Sequence, residues 1–86
     1  MKKVTVTIPW NEGLHLRPTV QLVRIAKSFQ STILLKCGAK FADARSVLSI
    51  MLLCASMGAV LELEVSGPDE QQAADEVESI FVEKSS

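Results

Sequence analysis

Residues 59–65, Ala-Val-Leu-Glu-Leu-Glu-Val, alternate apolar and charged side chains, and residues 2–8, Lys-Lys-Val-Thr-Val-Thr-Ile, alternate in the same way. A period of two sends every second side chain to the same side of a strand, so each stretch has one apolar and one polar face. In 2–8 the inner face is Val4, Val6 and Ile8, which predicts a half-buried strand ended by Pro9. Residues 31–37 read as a second strand. Gly38-Ala39 then turns the chain into a short third strand at 40–43, its hairpin partner, and 59–65 makes the fourth.

The intervals between the strands have helical spacing. From Leu16 to about Lys27, Leu22, Ile25, Ala26 and Phe29 form a core stripe opposite Gln21, Arg24 and Ser28, with Leu16 and Val20 towards the wet side. Ser46 is a good N-cap for a short helix over 47–53, with Gly58 as a later stop. That helix is apolar nearly all round, although packing on a sheet needs only one stripe. Ile50 and Leu53 suit the core, which leaves Val47, Leu48 and Met51 as a surface for a partner. Ser66-Gly67-Pro68-Asp69 opens a last helix, with Ser66 and Asp69 at capping-box spacing and Ala73, Ala74, Val77, Ile80 and Phe81 as its apolar stripe; residues 83–86 should fray. The order β-α-β-β-α-β-α predicts an α+β fold, a four-stranded antiparallel sheet with three helices on one face. It is expected to form a single domain over residues 1–86.

Charge narrows the function. Nine basic and ten acidic residues give a formal net charge of −1, which argues against a general nucleic-acid binder. All the basic residues except Lys84 lie in the first 45 positions, whereas Glu62, Glu64, Asp69, Glu70, Asp75, Glu76, Glu78 and Glu83 crowd the last part. A basic half suits an acidic partner. Cys37 and Cys54, with a single histidine, cannot supply a conventional four-ligand zinc site, so no metal is expected. The longest apolar run, Ile50 to Ala55, is too short to span a membrane, and no signal peptide precedes the first strand. A cytoplasmic protein with reduced thiols is expected.

The chemistry concentrates in Gly13-Leu14-His15-Leu16-Arg17-Pro18-Thr19, which holds the chain's one histidine. Proline is favoured in the first turn of a helix, so His15 falls at or just before a helix start, beside unpaired backbone N–H groups. Those groups bind anions, and imidazole is a nucleophile that titrates near neutral pH. A histidine so placed can take up a phosphoryl group and have the backbone hold it. Arg17 adds a fixed cation with a planar donor fork suited to phosphate.

These residues resemble the active-site motif of the HPr family, the histidine phosphocarriers of the bacterial phosphotransferase system. Gly13-Leu14-His15-Leu16-Arg17-Pro18, Ser46-Val47, Gly58 and Ser66-Gly67-Pro68-Asp69-Glu70 match that family in order and spacing. The resemblance implies an open-faced β-sandwich of the HPr kind and a carrier rather than an enzyme, working without a cofactor. It implies that His15 accepts phosphate through Nδ1 from enzyme I, charged by phosphoenolpyruvate, and donates it to enzyme IIA domains. In that scheme Arg17 pairs with the phosphate, and the N–H groups of Leu16 and Arg17 hold its other oxygens. Leu16, Val20, Arg24, Lys27, Val47, Leu48 and Met51 would dock partners, the chain acting as a monomer. Ser46 corresponds to a serine that a dedicated HPr kinase/phosphorylase modifies in some bacteria. Three residues depart from the family pattern: Leu16 and Thr19, where small residues are usual, and Glu12 beside the motif. Met51-Leu52-Leu53-Cys54-Ala55-Ser56 resembles the nitrogen-regulatory branch as much as the sugar branch. The competing reading is a regulatory domain that binds a small ligand and is never phosphorylated.

Overall fold

The alternating stretches pair into one antiparallel sheet, in a computed structural model that describes residues 1–82. Its strands are β1 (Lys2–Thr7), β2 (Thr32–Cys37), β3 (Lys40–Asp43) and β4 (Val60–Ser66), in the spatial order β1-β4-β2-β3. Central β4 pairs Leu61 with Val6 and Leu63 with Val4 on one side, and Leu63 with Leu35 and Val65 with Ile33 on the other. Leu61, Leu63 and Val65 are completely buried. The opposite face is charged and self-complementary: Lys3 faces Glu64, Thr5 faces Glu62, and Lys36 reaches Glu64 at 2.7 Å. One face needed a cover and the other did not.

Three helices supply that cover: α1 (Leu16–Ser28), α2 (Val47–Met51) and α3 (Glu70–Val82). The fold is therefore the expected four-stranded antiparallel sheet with helices on one side. From α3, Ala73, Ala74, Val77, Ile80 and Phe81 all enter the core, as their spacing predicts. From α1, Leu22, Val23 and Ala26 are buried, while Ile25 and Phe29 are only half-buried. The stripe is thus rotated towards Val23 relative to expectation, because α1 packs against both α3 and α2. Each fully buried aliphatic side chain of this core contributes roughly 1.5–3 kcal/mol relative to exposure.

Two helix boundaries differ from the sequence reading. The helix expected over 47–53 ends at Met51; Leu52 is its C-cap, and Cys54 adopts a positive φ of 51°. Ile50 and Leu53 are buried, as expected, but Leu53 gets there through a turn. At α3 the reciprocal cap runs from Gly67 to Glu70, one residue later than the Ser66–Asp69 pairing, with the Gly67 N–H donating to Glu70 Oε1 at 3.1 Å. Asp69 is used elsewhere: it accepts from the backbone N–H groups of Gln30 and Ser31 and from the Ser31 hydroxyl, tying the α3 start to the start of β2. Cys37 and Cys54 are both free thiols. The fraying expected at residues 83–86 lies outside the described residues. No helix is long and apolar enough to cross a membrane among the described residues.

Candidate functional site

His15 is the N-cap of α1, in extended conformation (φ −89°, ψ −173°), and its side chain does not cap the helix. The loop before it is pinned at two points. Gly13 N–H donates to Trp10 O at 2.9 Å, closing a turn over residues 10–13, and Leu14 N–H donates to Ala55 O at 2.8 Å. Gly13 sits at φ +75°, where a side chain is disfavoured, and an added Cβ would lie 2.5 Å from Ala55 O. The loop before α1 and residues 55–56 therefore pack backbone to backbone, and only glycine admits that approach.

The helix start leaves two donors open. An α-helix has four N-terminal N–H groups without intrahelical partners. Here Pro18 has none to give, and His15 N–H bonds Gly13 O at 2.9 Å. The N–H groups of Leu16 and Arg17 have no partner among the described residues. No acidic residue occupies the first turn, so the positive end of the helix dipole is uncompensated. The Arg17 side chain is exposed and makes no hydrogen bond or ion pair among the described residues. Two backbone donors and a free guanidinium thus lie on consecutive residues next to the imidazole.

The imidazole has a definite orientation. Nδ1 lies 2.9 Å from Gly13 O, and a carbonyl only accepts, so a hydrogen bond there requires the proton on Nδ1. The ring of Trp10 meets the His15 ring edge to face, with centroids 5.9 Å apart and planes at 79°. Trp10 in turn packs on Phe81 of α3 at 5.5 Å. Behind the histidine, the fully buried Thr19 donates its hydroxyl to His15 O at 2.7 Å, and Oγ1 lies 3.5 Å from Met51 Sδ. Trp10 and Thr19 both touch the site, and sequence reasoning gave neither a role. The single tryptophan, three residues before Gly13, was the available signal.

The other singled-out residues form a continuous surface in part. Arg17, Arg24 and Lys27 are exposed along α1, with Val20 half-buried between them. Leu16 is 58% exposed, Leu48 70%, Leu52 64% and Met51 38%, whereas Val47 is half-buried. Leu52 belongs to this apolar patch and sequence reasoning did not include it. Arg24 also lines a groove of about 400 Å³ between α1 and α3, with Gln21, Ile25, Ser79 and Ile80. Arg45, in the basic half, donates instead to Ala26 O and Phe29 O and closes the C-terminus of α1. Ser46 caps α2 as expected, its Oγ accepting from Ser49 N–H at 3.1 Å. Glu12 is exposed. No group of three His, Cys, Asp or Glu side chains is placed to hold a metal ion among the described residues.

The chain is similar to known proteins over most of its length. Residues 2–83 match the family model described as the phosphotransferase-system HPr component phosphorylation site. Over 76 residues the chain is 37% identical to the phosphocarrier protein HPr of Haemophilus influenzae, which covers 88% of this chain and 89% of that one. It is 32% identical over 80 residues to the phosphocarrier protein NPr of Escherichia coli, covering 92% and 89% of the two chains. Among solved structures, HPr of Thermoanaerobacter tengcongensis superposes with a TM-score of 0.87 at 38% identity, over 98% of this chain and 99% of that one.

Proposed function

This chain belongs to the HPr family of phosphotransferase-system components, and on that premise we propose that His15 is the residue that carries the phosphoryl group. Enzyme I is the donor and an enzyme IIA domain the acceptor. The observation that best supports this reading is the pair of unpartnered N–H groups on Leu16 and Arg17, directly after the histidine and at the positive end of a helix dipole. In the transfer step the lone pair of His15 Nδ1 attacks phosphorus and the donor's N–P bond breaks. The donor ring keeps that electron pair, and each imidazole retains the proton on its other nitrogen. Nδ1 must be bare for this, so the accepting form is the Nε2–H tautomer with the ring turned off Gly13 O. The N–H groups of Leu16 and Arg17 and the Arg17 guanidinium then stabilise the phosphoryl oxygens. His15 is half-buried beside the exposed Leu16 and Arg17, which leaves the group within reach of a donor and an acceptor in turn, as a carrier requires.

Leu16, Val20, Arg24, Lys27, Val47, Leu48 and Met51 serve as the docking surface in this reading. The carrier works as a monomer in the cytoplasm. Incubation with phosphoenolpyruvate, Mg²⁺ and enzyme I should add one acid-labile phosphoryl group, absent in His15→Ala. Undiminished label on that variant would remove His15 from the role. The 32% identity to NPr favours a second reading, a carrier of the nitrogen-regulatory branch. Parallel labelling by sugar-branch and nitrogen-branch enzyme I separates the two by rate.

Ser46 is read as a regulatory phosphoacceptor for an HPr kinase/phosphorylase. Its Oγ accepts a hydrogen bond, while its hydroxyl hydrogen has no acceptor among the described residues. A phosphate there places negative charge beside Leu48 and Met51 and repels an acidic partner. An acid-stable phosphate formed from ATP and the kinase, and lost in Ser46→Ala, is the expected result.

A further inference from the structure

We infer that Trp10 is a positioning residue for the phosphoacceptor, holding the His15 ring in an orientation that Nδ1 must leave before it can accept phosphate. The inference rests on His15 being the acceptor. Three contacts define that orientation. Nδ1 faces Gly13 O at 2.9 Å, the Trp10 ring meets the imidazole edge to face at 5.9 Å, and Phe81 backs Trp10 at 5.5 Å. Trp10 is half-buried against the core, and its own carbonyl accepts from Gly13 N–H. The indole, the Gly13 carbonyl and the imidazole are thus tied into one unit that rests on α3. An exposed histidine without such a frame would distribute its ring over several rotamers.

The frame also selects a tautomer. Gly13 O can only accept, so the held ring carries its proton on Nδ1 and leaves the lone pair on Nε2. Transfer through Nδ1 needs the opposite proton placement and a ring turned away. Trp10 therefore sets what fraction of the molecules is ready to accept, and the apparent affinity for a donor falls by that fraction. An edge-to-face aromatic contact biases such an equilibrium by about two- to tenfold.

The test uses the protein alone, with no phosphoryl donor, so its outcome is independent of whether enzyme I labels the chain. Long-range ¹H–¹⁵N correlations of the imidazole report the ratio of Nδ1–H to Nε2–H tautomers in the neutral ring. The wild-type protein should show the Nδ1–H form in excess. Trp10→Leu, which keeps an apolar contact for Phe81, should lower that ratio by about two- to tenfold. Trp10→Phe, which keeps an aromatic ring at this position, should retain it. A merely structural role would lower the unfolding temperature without moving the tautomer ratio. An unchanged ratio in Trp10→Leu, or a wild-type ring mainly in the Nε2–H form, overturns the inference.

Discussion

The hydroxyl of Thr19 donates to the backbone carbonyl of His15 at 2.7 Å, and the Thr19 backbone N–H reaches the same oxygen at 3.2 Å. The first intrahelical bond of α1 is thereby doubled by a side chain, and Met51 Sδ lies 3.5 Å from the same hydroxyl. Thr19→Val keeps the volume and the backbone bond and removes only the hydroxyl. It should cost about 1 kcal/mol, a fall in unfolding temperature of roughly 4–8 °C for a chain of this size. Thr19→Ala also deletes buried volume, leaving two carbons fewer than valine, and should cost roughly 1.6 kcal/mol more than Thr19→Val. Thermal unfolding of the two variants separates the hydroxyl from the packing; equal stability of Thr19→Val and wild type would mean the side-chain bond contributes nothing.

Gly13→Ala tests the backbone contact under the site. The position has φ +75°, and a Cβ would lie 2.5 Å from Ala55 O, an atom of the main chain that cannot swing aside. The conformation alone costs an L-residue roughly 1–2 kcal/mol. Relief of the clash should also stretch or break the Leu14–Ala55 hydrogen bond and shift His15. Denaturant unfolding should show a loss of at least about 1 kcal/mol, with slower labelling by enzyme I. A variant as stable as wild type would show that the two loops are not in contact.

How much of this was legible beforehand depends on the range of the forces involved. Alternation at 2–8 and 59–65 foretells the inner faces of β1 and β4, because strand period and burial are local consequences of the same residues. The helix start at His15 is equally local, written in the spacing of Gly13, His15 and Pro18. The end of α2 is not. Its apolar residues run on past Met51, and the helix stops where Leu53 must enter the core and Ala55 must present its carbonyl to Leu14. Asp69 has capping-box spacing from Ser66, yet it binds Gln30 and Ser31 in a distant part of the chain, and Glu70 takes over the cap. Trp10 lies in a loop with no period to read. Its partners His15 and Phe81 come together only when α3 closes over the sheet.

Asp69 gives a pH dependence with a definite sign. The Ser31 hydroxyl first, and then the Gln30 N–H, hold its carboxyl below the ordinary value of 3.8. The unfolded chain therefore takes up this proton at higher pH than the folded one. The stabilisation is complete above the ordinary value and is lost as pH falls through the lower, folded one. Asp69→Asn should unfold at a lower temperature than wild type at neutral pH. The gap should narrow below the ordinary carboxyl range, about pH 4. Unfolding temperatures of both proteins across that range decide it; a gap independent of pH would remove ionised Asp69 from the clamp.

The apolar patch on α2 can be separated from the core by three substitutions along five residues. Leu48 is 70% exposed, Met51 38% and Ile50 not at all. Leu48→Glu places a charge on the surface and should leave stability within about 0.5 kcal/mol of wild type. If the patch docks an acidic partner, the same change should weaken transfer from enzyme I by roughly five- to thirtyfold, equivalent to about 1–2 kcal/mol of lost binding. Met51→Glu should impair transfer in the same direction. It should also lower the unfolding temperature, because Met51 touches the buried Thr19 hydroxyl. Ile50→Ala should do the reverse of Leu48→Glu: it removes a fully buried side chain at a cost of about 2–5 kcal/mol, and once temperature is adjusted to keep it folded, transfer should be near normal. Labelling rates and unfolding temperatures measured on all three variants distinguish docking from packing. A Leu48→Glu protein that is labelled at the wild-type rate would exclude this face from contact with the donor, whatever the other two variants do.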